Sequence, residues 1–403
     1  MAIGVRIRIS SFVSLTIGPG ARDDDITDRL NNYVMYLTLI FMAALTGSHQ
    51  LVGTPIKCWL PAQYYRKFQE KYANSHCWVN SLYNIPFDEA LPGVDEDRYS
   101  SNVNYYRWVT VIFFVLAFLF RVPQLLWREL KHASGANVEK LIRMTAETAL
   151  MDQETREKQL SHVAEFFHKW VTTRVRPRRY GLRGFLQEAA DNTVFCYGKR
   201  SGHHLVLTYI FIKSLYLLNT LGQFFLISSF LNTNYWLFGL HVWNTYYQHG
   251  EWENDDIFPR VALCDMKIRQ MQNLHTYTFQ CVLSVNLFLE KIFLLVWFLL
   301  IFVLIANTIS FLKWTYQLLC CPRTRQYVKS FSKHLLPEMD PTVENGRILK
   351  IFESYLRPDG VFVLRMIQGN TTDLLTTDLL QQIFLKFKKS LGQRAQINAT
   401  FKD

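Results

Sequence analysis

Four long apolar runs, at residues 33–51, 105–127, 205–231 and 287–312, stand out from a chain that is otherwise polar. Each is long enough to cross a hydrocarbon layer as a helix, which takes roughly 20 apolar residues for ~30 Å. The pattern predicts four membrane spans. The remainder falls into an N-terminal segment (1–32), three loops (52–104, 128–204 and 232–286) and a tail (313–403). Residues 1–32 alternate as Val5-Arg6-Ile7-Arg8-Ile9 and lack a compact apolar core with a cleavage site, so no signal peptide is expected.

The spans differ in character. Ala43, Ala44 and Gly47 in the first allow close helix approach. Tyr105, Tyr106, Trp108 and Trp127 place aromatics at both ends of the second, as interfacial belts do, and Pro123 is expected to kink it. The third carries Lys213, Asn219 and Gln223; the last two share a helix face and read as interhelical glue ahead of pore lining. The fourth opens on Glu290-Lys291 and closes on Lys313-Trp314.

Charge then orients the spans. The chain holds 44 Lys and Arg against 33 Asp and Glu, a formal net charge of +11. That excess could suggest nucleic acid, but the basic residues crowd 128–204 and 313–403, as the positive-inside rule places them. Those regions and both termini are therefore expected in the cytosol, with 52–104 and 232–286 outside. Arg107, at the outer edge of the second span, is read as pairing with Asp95-Glu96-Asp97. The seven cysteines divide accordingly. Cys58, Cys77, Cys264 and Cys281 fall on the oxidising side as a disulfide framework, in one of three pairings; Cys196, Cys320 and Cys321 stay reduced.

Asn137 to Val171 reads as helical with an irregular apolar face, and Arg174, Arg176, Arg178, Arg179 and Arg183 follow as a solvated basic connector or an anionic-lipid contact. In the tail, Asp359-Gly360 reads as a turn, and Thr376-Thr377-Asp378 as the cap of a helix over Leu379–Leu391. Cys320-Cys321 is either a palmitoylation site or a pair of buried thiols. The aromatics of 232–286 (Trp236, Trp243, Tyr246, Tyr247, Trp252 and Phe258) suit either docking against a partner or a mini-core under the disulfides. No phosphate-cradling glycine loop, nucleophile elbow or zinc spacing occurs, and His76 beside Cys77 fits no metal pattern. No enzyme, catalytic residue, metal or cofactor is expected.

The most specific stretch is Phe258-Pro259-Arg260-Val261, Cys264-Asp265, Ile268-Arg269, Gln280-Cys281-Val282-Leu283, Asn286-Leu287 and Glu290-Lys291-Ile292-Phe293. With Asp23-Asp24-Asp25…Asp28-Arg29-Leu30-Asn31, Cys58-Trp59, Tyr105-Tyr106-Arg107-Trp108 (Arg107 where Gln is usual), Tyr209–Leu226 and the 352–370 block, it resembles innexins. These are the invertebrate gap-junction proteins, to which pannexins are related. The resemblance runs from Asp23 to about Phe387. It implies an all-α membrane protein: a four-transmembrane-helix bundle per subunit, disulfide-tied extracellular loops and a helical cytoplasmic domain. A pore wide enough for metabolites needs a ring of copies. By likeness that ring is an octameric homo-oligomer in the plasma membrane, docking an opposing hemichannel at the gap junction, among lipids and other innexins. A non-junctional, pannexin-like hemichannel is the alternative. The likeness further implies the bonds Cys58–Cys281 and Cys77–Cys264. It also implies an N-terminal pore funnel, where Arg6 and Arg8 would ring the pore with positive charge, unless they hold lipid headgroups instead.

Overall fold

The structure is a computed structural model, and it describes residues 24–61, 67–85, 93, 102–132, 137–173, 202–250, 257–319, 326–331 and 343–400. Among the described residues, four helices are long and apolar enough to cross a membrane: α1 (Ile26–Val52), a second within Val109–Lys131, a third over His204–Leu231 and a fourth within Ser284–Leu318. α1 contains a π-helical turn at Leu30–Met35 and begins ahead of the apolar run at 33–51. The contacts divide the chain into two units. One is Ile26–Leu126 with Phe211–Lys313; the other is Met1–Asp25, Trp127–Ile210 and Trp314–Asp403.

In the first unit, the described residues between the long helices form short strands and helices. After α1 come β1 (Lys57–Cys58), α2 (Lys67–Val79), β2 (Leu82–Tyr83) and β3 (Asn102–Val103). A 3-10 turn at Tyr105–Arg107 leads into α3 (Val109–His132), which contains Pro123 and continues past it. Proline has no N–H, so the carbonyl of Leu119 one turn earlier loses its helical donor. Strands β4 (Val261–Gln270) and β5 (Asn273–Val282) form a long hairpin. The five strands make one antiparallel sheet in the order β1-β5-β4-β2-β3. The all-α expectation is thus corrected. Alternating positions such as Ala262, Cys264 and Met266 are buried on one sheet face, a period-2 pattern inside the expected outer loop 232–286.

The second unit holds the helices α4 (Val138–Glu147) and α5 (Gln153–Thr173), with α9 (Val343–Asn370) and α10 (Asp373–Thr400) later in the chain. The long helices α6 (His204–Leu231) and α8 (Ser284–Leu319), like α3, are divided between the two units; α7 (Phe238–His249) belongs to the first.

The stretch expected to be helical over Asn137–Val171 forms two helices with a 3-10 turn at Thr148–Leu150 between them, and Asn137 caps the first by accepting from the Lys140 N–H at 3.0 Å. Two local expectations are corrected here. The tail break falls at Arg357 (φ 54°), before Pro358, rather than at Asp359-Gly360. The final helix begins at Asp373, with the Thr372 hydroxyl accepting from the Leu375 N–H, so Thr376, Thr377 and Asp378 lie inside it.

Asp359 has another task. Its Oδ1 accepts from the backbone N–H groups of Leu205 and Val206 at 3.0 and 3.2 Å, satisfying the buried start of α6. Trp127, Tyr209, Trp314 and Phe362 pack as an aromatic cluster. Burial works to raise the Glu139 carboxyl, yet Lys131, with Arg128 and Arg143, holds it below its ordinary value. Asp359→Ala should destabilise the protein by about 1–2 kcal/mol, the usual loss of a cap. Thermal unfolding in detergent reads it, with Asp359→Asn, which keeps an acceptor oxygen, falling between the two.

Candidate functional site

The loop sheet depends on covalent ties. β1 and β2 are two residues each, too short to hold a register by hydrogen bonds alone. Cys58 of β1 lies directly opposite Cys281 of β5 and is bonded to it, with Cα atoms 3.9 Å apart. Cys77, on the last turn of α2, is bonded to Cys264 of β4 at a Cα separation of 5.8 Å. Each bridge joins the first loop to the second. Sγ atoms of Cys58, Cys77 and Cys281 lie within 4.8 Å of one another, but all three are consumed in disulfides, so the cluster is two adjacent bridges and not a ligand set. Asp265, behind them, accepts from the Tyr83 hydroxyl at 2.9 Å and the Thr278 hydroxyl at 2.7 Å, joining β2, β4 and β5 through one carboxylate.

At the root of the sheet the aromatics are buried. Burial, then the neighbouring Tyr106, pushes the Tyr105 hydroxyl well above the usual range, with Asn286 pulling it back in part. Burial pushes Tyr106 up to about 12 against the pull of Arg107. Both phenols therefore stay neutral. Arg107 donates to the Val79 carbonyl and, at 2.8 Å, to Asn104; Asp95, Glu96 and Asp97 lie outside the described residues. Glu290, 1% exposed, lies 3.8 Å from Arg260 and 3.9 Å from Lys291.

Deeper in the helices runs a polar ladder. Lys213 of α6 donates to Asp28 of α1 at 2.8 Å and to Ser310 of α8 at 2.9 Å, with side chains 2% and 5% exposed for Lys213 and Asp28. One turn on, Asn31 and Asn307 exchange amide hydrogen bonds at 2.6 and 3.0 Å, and Asn307 also donates to Thr220 at 2.9 Å. Arg121 of α3 donates to Asn32 at 2.7 Å and lies over the ring of Tyr36. Gln223 donates to the Leu116 carbonyl at 3.1 Å, whereas the buried Asn219 amide nitrogen has no hydrogen-bond partner among the described residues. Nearer the sheet, Thr46 and Thr110 meet at 3.1 Å, beside Gly47. All four long helices are joined by side-chain polar contacts.

The sequence singled out Lys213, Asn219 and Gln223 as polar groups in a span; Asp28 and Asn31 entered only through the family likeness, and Asn307 and Ser310, which complete the ladder, not at all. The available signal was their isolation: each is a polar side chain in or at the edge of an apolar helix, where lipid cannot satisfy it. Arg6, Arg8, Cys196, Cys320, Cys321, the arginines from 174 to 183 and Trp252 lie outside the described residues. Among the loop aromatics, Phe258 and Trp236 are packed, while Trp243, Tyr246 and Tyr247 are exposed.

Breaking the ladder should be costly. Lys213→Met leaves a buried carboxylate without its cation and should destabilise by about 3–5 kcal/mol, while Lys213→Met with Asp28→Leu should recover most of the loss. Thermal melting of the parent and both variants in detergent decides this; a Lys213→Met variant that melts with the parent would remove the pair as an anchor.

Comparison with known proteins covers almost the whole chain. A family model described as Innexin matches residues 24–387. The chain is 32% identical over 362 residues to Innexin unc-9 of Caenorhabditis elegans, spanning 90% of this chain and 92% of that protein. It is 31% identical to Innexin-3 of the same nematode over 395 residues, or 98% of this chain and 89% of the relative. Innexin-19 of Caenorhabditis briggsae is 29% identical over 413 residues, covering 98% and 92%.

Proposed function

Because this chain belongs to the innexin family, we propose that it is the subunit of a gap-junction channel that passes ions and small metabolites between adjacent cells. One observation carries the reading. Two segments that separate membrane-length helices are drawn into a single sheet and locked by two disulfides, which gives the bundle a stiff, sculpted end. A rigid, preorganised surface is what docking against an opposing copy requires, because little ordering entropy is then lost on contact.

In this proposal copies close into a ring, eight by family likeness, since one four-helix chain cannot enclose a wide aqueous path. The sheet faces the extracellular gap, where disulfides persist, and both termini lie in the cytosol with the basic segments. Two rings dock end to end, with or without other innexins. The Asp28–Lys213 pair holds the start of α1, and by family likeness Arg6 and Arg8 ring the pore mouth. The tip of the β4–β5 hairpin supports a docking role: Met271 is fully exposed and its backbone is in the left-handed region (φ 52°), where a non-glycine residue costs about 1–2 kcal/mol.

Dye transfer between paired cells expressing only this chain tests the proposal. Transfer is expected for the parent and is expected to be lost in Cys58→Ser, which unlocks β1; normal transfer in that variant would contradict the role of the sheet. Dye uptake into single cells without transfer between pairs would make the protein a non-junctional hemichannel instead. Reversal potentials of Arg6→Glu/Arg8→Glu hemichannels should shift toward cation preference, and an unchanged potential would take these arginines out of the pore.

A further inference from the structure

α7, twelve residues that follow α6 after a short connection, carries no Lys, Arg, Asp or Glu. Its residues fall on three faces at 100° per residue. Phe238, Gly239 and Val242 are buried against the protein. His241, Asn244 and Gln248 share a polar face. Leu240, Trp243 and Tyr247, at i, i+3 and i+7, form a third stripe, 59%, 67% and 84% exposed.

The depth of this helix follows from what it packs against. α8 has no charged residue between Lys291 and Lys313. At 1.5 Å per residue that stretch is about 30 Å long, the thickness of the hydrocarbon layer, so its loop-side edge lies at Ile292. The Tyr235 hydroxyl donates to the carbonyl of Phe293 at 2.6 Å, and the Trp297 indole donates to the carbonyl of Trp236 at 3.2 Å. A Cβ on Gly239 would come within 2.1 Å of the Trp297 ring, so only glycine allows this approach. The start of α7 is therefore fastened roughly 2–8 Å inside that edge. Trp236 stacks on Phe224 of α6 at 4.4 Å and meets Phe225 edge-on. Phe225, with Leu218 and Leu226, is exposed on the outer face of α6, so the apolar surface of that span runs on into α7.

We infer that α7 is a membrane-interface helix whose Leu240–Trp243–Tyr247 stripe is inserted into lipid at the loop end of the bundle. Trp and Tyr are the residues that settle at this level, and an interfacial helix buries its apolar face about 5–10 Å into the boundary. With no formal charge, the helix is held by apolar burial and not by anionic headgroups, so its depth should be indifferent to lipid charge. This inference rests on the chain spanning a membrane and not on junction formation.

Two experiments on the reconstituted full chain test it. In the first, Trp243→Cys and Gln248→Cys are spin-labelled in a chain with Cys196, Cys320 and Cys321 changed to Ser, in phosphatidylcholine liposomes with and without phosphatidylserine. Collision with oxygen should exceed collision with a water-soluble nickel chelate severalfold at 243, reverse at 248, and not change with phosphatidylserine. Nickel-favoured collision at 243 would place the stripe in water, and low collision with both would place a neighbouring copy over it; either result overturns the inference. In the second, the unsubstituted chain is photolabelled with an apolar diazirine dissolved in the bilayer. Adducts on Leu240, Trp243 or Tyr247 are expected, and labelled spans with an unlabelled α7 would overturn the inference without any substitution.

Discussion

An ammonium and a carboxylate held where water does not reach must satisfy each other, and in this protein that requirement sets where the first long helix begins. Lys213 lies in the apolar middle of α6, and Asp28 is brought to it by extending α1 ahead of its apolar run. Ser310 Oγ accepts a second hydrogen bond from the ammonium, so α8 is drawn into the same contact. Such a pair adds little net stability, because desolvating both charges offsets their attraction. Its effect is on specificity: any sliding or rotation of α1 against α6 would strand a buried charge. The Asn31–Asn307 exchange one turn on makes the same demand in uncharged form, and the Arg121–Asn32 bond brings α3 in.

The loop sheet solves a different problem by different means. Strands of two residues have almost no pairing free energy of their own, and a loop region of this size buries little apolar surface. Each disulfide typically contributes about 2–4 kcal/mol by restricting the unfolded chain. Both bridges here close long stretches, with sequence separations of 223 and 187 residues. Asp265 supplies an acceptor in common to Tyr83 and Thr278, so the sheet is polar-bonded across three strands as well as cross-linked. The result is a rigid end to a bundle whose other contacts are helix on helix.

Between these two regimes lies the aromatic belt. Tyr235, Trp236 and Phe238 fold the chain back onto α6 and α8, and Gly239 lets the backbone approach Trp297. One cluster of aromatics therefore divides its labour. Part of it packs under the sheet, with Phe258 against Phe293 and Tyr105. The other part, on α7, is left facing outward. The mini-core use accounts for the first part, and the second is the stripe we infer to lie in lipid.

The amino-acid order by itself determined the parts that depend on local composition. Twenty apolar residues in a row can only be a span or a buried helix, the excess of arginine and lysine between spans points one way across a membrane, and the Phe258–Phe293 stretch carries its family likeness in nearby residues. Pairing was beyond it. Four cysteines allow three connectivities, and a charge in a span does not name its counter-ion, because partners such as Asp28 and Lys213 are 185 residues apart. Part of the sheet was hidden for a related reason: β1, β2 and β3 are two residues each with no periodicity to read, and they become strands only when the β4–β5 hairpin, which does alternate, is laid beside them. The break at Arg357 and the cap supplied by Asp359 were likewise decided by contacts with Gly202, Leu205 and Val206. Local pattern fixes what a segment can be, whereas long-range hydrogen bonds and charges are satisfied only in three dimensions, and they settle which of those possibilities the chain adopts.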